Sequence, residues 1–196
     1  MSSATIAAAA SPIALPTISP GASTRSRWST SCPRPQCSPT WTRTESALRK
    51  YHWLFLAQPA PFPETLIGAA PRYYLDHTLA SWTATKDLSA YDPRALEHYR
   101  KAFEDPARIA ASCEDYRAGA SIDRLLDAAD LEAGRKIEVP LLAIWGDAGL
   151  PSAGGSPLEV WRRYASDVRG VPIRSGHFVP EESPDACYDA LADYLR

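Results

Sequence analysis

Apolar side chains recur at helical spacing between residues 45 and 135, and after Gly134 the pattern changes to short continuous runs. Glu45 to Ala57 carries Leu48, Tyr51, Leu54 and Phe55 three and four residues apart, which predicts an amphipathic helix. The Gln58-Pro59-Ala60-Pro61-Phe62-Pro63 run stops it, because each proline disfavours helix in the residue before it. Thr65 to Ala70 and Tyr73 to Trp82 read as two further helices, the second with Tyr73, Tyr74, Leu75, Leu79 and Trp82 as its apolar content. Asp92-Pro93 and Asp105-Pro106 each open a helix with an acidic cap followed by proline in the first turn. These run to about Phe103 and through Tyr116, and Ile122 to Glu132 supplies the last helix of the block.

Ile137-Glu138-Val139-Pro140-Leu141-Leu142-Ala143-Ile144-Trp145-Gly146 then reads as a buried parallel strand bounded by turn residues. A helix follows at Pro157 to Ala165, a second strand at Val168 to Arg174, and a final helix at Ser183 to Leu195 with Ala186, Leu191, Tyr194 and Leu195 on its buried side. Strand, helix, strand, helix implies right-handed parallel crossovers and an α/β layered fold. Two strands do not make such a sheet alone, so further strands are expected upstream or are missing. The chain therefore divides into residues 1–44, a helical block at 45–136 and an α/β unit at 137–196.

Composition changes this picture mainly at the N-terminus. The 196 residues fit one domain, or one domain with a sub-domain. A net charge of -2 gives no case for nucleic acid or an anionic membrane, and no run approaches the ~18 apolar residues of a membrane span. The cysteines at 32, 37, 113 and 187 make neither a CxxC nor a zinc spacing. They read as free thiols in a reducing, cytoplasmic setting, with no metal or other cofactor expected.

Residues 1–44, in contrast, hold four arginines and no acid, and 29 of them are Ser, Thr, Pro or Ala, whereas all 23 acids follow. Arg- and Ser-rich, acid-poor sequence fits a transit peptide, but prolines at 12, 16, 20, 33, 35 and 39 would break its amphipathic helix. A disordered tail fits the composition as well. A third reading is a shifted frame. Permitted codons for Met1 to Pro20, read from the third base of the Met1 codon, give V-V-G-H-D-R-G-G-R-V-A-H-R-L-A-H-D-L-P. The same shift over Gly21 to Trp41 permits G-E-H-P-L-A-V-V-D-I-V-P-T-P. These strings look like a strand, a nucleophile turn, a helix and a second strand ending in Asp.

The candidate chemistry centres on Ser175-Gly176-His177-Phe178-Val179-Pro180-Glu181-Glu182-Ser183-Pro184. A histidine between a short strand and a closing helix holds the last place in the order nucleophile, acid, histidine of α/β hydrolases. The plainer alternative is a loop histidine without chemistry.

Tyr51-His52-Trp53 before Phe55-Leu56-Ala57-Gln58-Pro59, then Cys113-Glu114-Asp115-Tyr116-Arg117-Ala118-Gly119, Pro140 to Gly146 and Gly176 to Glu182 resemble the haloacetate (fluoroacetate) dehalogenases of the α/β-hydrolase superfamily. The match runs from about residue 42 to 196. It implies a partial α/β-hydrolase fold: a helical cap, then the last two strands and helices of the parallel sheet, after an irregular N-terminal segment. It also implies a small haloacid as substrate, whose halide an Asp carboxylate displaces to leave an ester that His-activated water hydrolyses. His177 is then the base, and His52, the Trp53 indole N–H and the Tyr116 hydroxyl are the halide donors. As core or surface residues, those three also have ordinary structural readings.

Two family motifs are absent. No string like H-D-R-G-G-R supplies the nucleophile and substrate-binding arginines, and none like L-D-I-V-P supplies the acid. Both are what the shifted frame of residues 1–41 would restore. The chain as written is accordingly expected to be inactive. Asp147, after Ile144-Trp145-Gly146, stands where many other α/β hydrolases keep the acid that orients the histidine. Rival readings are an epoxide hydrolase, in which Tyr116 would protonate the epoxide oxygen, and a non-catalytic helical module that binds a partner; dimerisation is left open. Sequencing the gene across the codons for Trp41 and Thr42 should reveal a frame change there, and an uninterrupted frame would remove that reading.

Overall fold

A computed structural model describes residues 5–8, 48, 50–148 and 156–196. Apart from residues 5–8, the targeting, tail and frame readings of the N-terminal segment lie outside the described residues.

The helical block contains α1 (Tyr51–Leu56), α2 (Phe62–Gly68), α3 (Pro71–Trp82), α4 (Pro93–Phe103), α5 (Pro106–Ala120) and α6 (Ile122–Glu132). The two Asp-Pro starts form as expected. Asp92 accepts from the N–H groups of Arg94 and Ala95, and Asp105 from that of Ala107, which satisfies donors a helix start leaves open. Leu56, Ile67, Ile109 and Cys113 form the buried core, with Phe55, Tyr74, Phe103 and Tyr116 packed against it. Outside this core, Arg72 pairs with Glu97 and Glu104, and Arg100 with Asp76, fastening α3 to α4 and the turn after it.

In and just before α1 only part of the expected stripe faces inward: Phe55 packs against the core, whereas Leu48, Tyr51 and Leu54 are exposed and His52 and Leu56 are buried. The helix is less than two turns long, and its burial follows its contact with α5 rather than the widest apolar stripe.

The α/β unit adds β2 (Leu141–Gly146), α7 (Pro157–Trp161), β3 (Val168–Ile173), α8 (Val179–Glu182) and α9 (Pro184–Leu195). β2 pairs parallel with β3, with Leu141 opposite Val168 and Gly146 opposite Ile173. The upstream part of the expected strand is only a single parallel bridge, Ile137 to Ala165; Pro140, just before β2, has no N–H to give a ladder. On the other edge of β2 lies β1 (Thr5–Ala8), also parallel, with Thr5 opposite Leu141 and Ala8 opposite Ile144. This strand was not expected, because the composition of residues 1–44 reads as irregular.

Successive β2 residues point to opposite faces of the sheet. Leu141 and Ala143 pack with Trp161 and Ala165. Leu142 and Ile144 pack with Ile173 and Val179, covered by Cys187, Ala190, Leu191 and Tyr194. The sheet thus has a helical layer on each side, as parallel sheets require. Of the residues expected on the inner side of α9, Leu191 and Tyr194 pack against the sheet, whereas Ala186 and Leu195 are exposed.

Substituting Ile109→Ala should cost about 3 kcal/mol, since a buried side chain leaves a cavity in a packed core. Leu125→Ala on the exposed face of α6 should change stability by less than about 0.5 kcal/mol. Urea unfolding followed by tryptophan fluorescence measures both, and equal costs would contradict the packing described.

Candidate functional site

The site forms where the loop after β3 meets the end of α3. Ser175 and Gly176 are buried there, followed by His177 and Phe178. The His177 N–H donates to the Trp82 carbonyl at 2.9 Å. Gly176 lies so close to the turn after α3 that a Cβ would fall 2.4 Å from the Ala84 nitrogen and 2.6 Å from the Thr83 carbonyl carbon. No larger residue fits without moving backbone. On its other side the loop abuts the end of β2, where a Cβ on Gly146 would lie 1.8 Å from the Gly176 oxygen.

Four of the five residues singled out from the sequence come together here. The His177 ring meets Trp82 edge-on with centroids 5.1 Å apart, and Trp82 lies 4.6 Å from His52. His52 meets the Tyr116 ring edge-on at 5.9 Å and the Trp53 ring at 6.3 Å. Phe178 stacks on Trp82 at 6.0 Å. A continuous aromatic wall therefore runs from Tyr116 on α5, through His52 on α1 and Trp82 on α3, to His177. Trp82 was noted only as apolar helix content; its closing position on α3, next to a polar turn, is the one sequence signal that it faces another element.

The fifth residue is elsewhere. Asp147 is exposed just past β2, its N–H donates to the Ile173 carbonyl, and no hydrogen bond or ion pair joins its carboxylate to His177.

Burial pushes the His177 imidazole down to about 4, although the Glu182 carboxylate pulls the other way. The ring is therefore neutral near pH 7, and Nε2 is buried with no hydrogen-bond partner among the described residues. A neutral nitrogen free to accept is what a general base requires. Burial, with Asp115 adding to it, raises the Tyr116 hydroxyl, which stays protonated and able to donate.

Two carboxylates not singled out from the sequence support these groups. Glu182 on α8 accepts from the N–H groups of Gly176, Phe178 and Ala84. Glu64 on α2 pairs with Arg117 at 2.6 Å; burial alone would raise its carboxyl, but Arg117 holds it below the usual range. Arg117 also donates to Glu114 and to the Gln58 carbonyl, bracing α5 beneath Tyr116. Among the described residues, no three His, Cys, Asp or Glu side chains are grouped to hold a metal ion. No described helix is long and apolar enough to cross a membrane.

Comparison with known proteins gives a consistent picture of the fold. No family model matches the chain. It is 41% identical over 145 residues to a fluoroacetate dehalogenase from Burkholderia sp., covering 74% of this chain and 47% of that protein. It is 25% identical over 152 residues to a soluble epoxide hydrolase from Corynebacterium sp. strain C12, covering 76% and 50%. Among solved structures, a Pseudomonas aeruginosa protein assigned as an epoxide hydrolase superposes with a TM-score of 0.71 at 43% identity, over 79% of this chain and 52% of its own. A Nostoc sp. PCC 7120 protein assigned to the α/β hydrolases does so with a TM-score of 0.71 at 46% identity, over 78% and 51%. The chain spans about half the length of the curated relatives it matches.

His177 should titrate with a midpoint near 4 when its ring protons are followed by NMR. Its folded value lies below the unfolded one, so between pH 6.5 and 4 the unfolded chain binds more protons. The contribution of this residue to stability is thus fully present above pH 6.5 and lost as pH falls through that window. A His177→Gln chain should show a weaker loss over the same range, and identical pH profiles would contradict the buried, neutral ring.

Proposed function

We infer that this chain, a member of the α/β-hydrolase superfamily with part of that fold, carries the base and the halide-binding side of a haloacid dehalogenase. The observation that carries the reading is the single wall joining Tyr116, His52, Trp82 and His177. It puts the protonated Tyr116 hydroxyl, the His52 ring and the neutral His177 ring along one surface.

In the proposed reaction an Asp carboxylate attacks the α-carbon of a 2-haloacid, the carbon–halogen bond breaks, and halide leaves with the bonding pair. The charge developing on the halogen meets donors from His52, Trp53 and Tyr116, so the wall stabilises the departing halide more than the uncharged, carbon-bound halogen of the substrate. His177 then takes a proton from water as the oxygen adds to the ester carbonyl; collapse releases the 2-hydroxyacid and restores the carboxylate. The fluoroacetate dehalogenase relative supports this reading over others. An epoxide hydrolase is the second reading, favoured by the Corynebacterium relative and by the protonated Tyr116 hydroxyl, which could donate to an opening epoxide.

The nucleophile of this scheme has no counterpart motif in the sequence, so the 196-residue chain should release no sustained halide from fluoroacetate or chloroacetate. The cradle can be tested without turnover. Chloride or bromide should quench the tryptophan fluorescence of the chain saturably, and Trp53→Phe should weaken binding at least tenfold. A linear, unsaturable response in the parent chain would refute the halide reading, and sustained halide release would refute the expected inactivity.

A further inference from the structure

We propose that Glu182 is a positioning residue for His177: its carboxylate gathers backbone N–H groups from the His177 loop and from the turn after α3, and so fixes where the imidazole stands. The catalytic meaning of this inference rests on the hydrolase reading above; its geometry does not.

Glu182 spends both oxygens on backbone. Oε2 accepts from Gly176 at 2.9 Å and from Ala84 at 2.7 Å, while Oε1 accepts from Phe178 at 3.0 Å. With the His177 N–H given to Trp82, three consecutive N–H groups of the loop are all engaged, the outer two by one carboxylate. The donors lie six, four and 98 residues away in the chain. Hydrogen bonds to an ionised acceptor are the stronger kind, and N–H groups in a closely packed junction are costly to leave unmade.

The close approach of Gly176 to Thr83 and Ala84 makes the clamp tight: the two backbones come within a distance that admits no side chain. Glu181, one residue earlier, accepts from the Tyr99 hydroxyl on α4. The short α8 therefore reaches the helical block with two carboxylates, and only Glu182 also holds the loop on either side of His177.

Glu182 is not a proton partner of the imidazole. No hydrogen bond joins the two side chains, and burial outweighs the upward pull of the carboxylate on the ring. The two roles, clamp and nearby charge, predict opposite changes when the charge is removed. A bystander charge, once lost, lets the His177 midpoint fall. A clamp, once lost, lets the loop open and the ring meet water, so the midpoint rises.

The test compares the 196-residue chain with Glu182→Gln by amide hydrogen exchange and by NMR titration of the histidine rings. Gln keeps the length but presents an NH₂ to at least one of the three donors. The expected result is at least tenfold faster exchange at Ala84, Gly176 and Phe178, unchanged protection at Leu142 and Ile144 of β2, and a His177 midpoint rising from about 4 toward 6.5. A falling or fixed midpoint with the three amides still protected overturns the proposal. If Glu182→Gln loses protection in β2 as well, Gly176→Ala is read in the same way, because its Cβ pries the same junction apart from the other side. Absent halide binding alongside the expected exchange and titration would overturn the functional reading alone. Unchanged exchange overturns the clamp whatever the halide result.

Discussion

The backbone contact between the His177 loop and the turn after α3 is the constraint on which the rest of the site depends. Gly176 packs where a Cβ would meet the nitrogen of Ala84, and Gly146 packs under the same loop where a Cβ would meet the Gly176 oxygen. The loop thus lies tightly between the sheet and the helical block, and its polar groups must find partners inside that contact. They find the Trp82 carbonyl and the Glu182 carboxylate. The aromatic wall starts at the same place: Trp82 supplies the carbonyl that accepts from the His177 N–H, and its ring lies beside the imidazole.

Burial at this contact sets the chemistry. The imidazole is neutral because the ring leaves water, and the Tyr116 phenol is protonated for the same reason. Desolvation acts on an acid and a base in opposite directions along the pKa scale, yet in both it favours the uncharged form.

What could be read from the sequence was whatever rests on local order. The Asp-Pro caps of α4 and α5 and the span of α6 depend on neighbours a few residues away and formed where they were expected, and the second half of the apolar run formed β2. His177 drew attention in the sequence because it lies between a strand and a helix. Glu182 could not. Its three donors include one 98 residues upstream, and their hydrogens belong to backbone, which has no residue-type signature. The burial of His52 and Leu56 in place of Tyr51 and Leu54 on α1 escaped for a related reason: a helix of six residues has too few positions for an apolar stripe to outweigh one tertiary contact. β1 escaped because its four residues lie inside a stretch whose composition argues against any fold.

The specificity of the Cys113 to Gly119 motif has a physical basis in the same terms. Cys113 is fully buried in the helical core, Tyr116 turns toward His52, and Arg117 turns toward Glu64, Glu114 and the Gln58 carbonyl. Residues three and four apart on a helix share a broad face, so one and a half turns of α5 must at once fill a core, present a hydroxyl and anchor an ion pair. Each task constrains a different residue, and a chance match would have to meet all of them in one register. A strand ending in Trp-Gly needs only an apolar run and a turn. That difference is why seven residues of α5 constrain more side chains than the six of β2, and why Tyr116 stood out in the sequence while Glu182, whose partners are backbone N–H groups, did not.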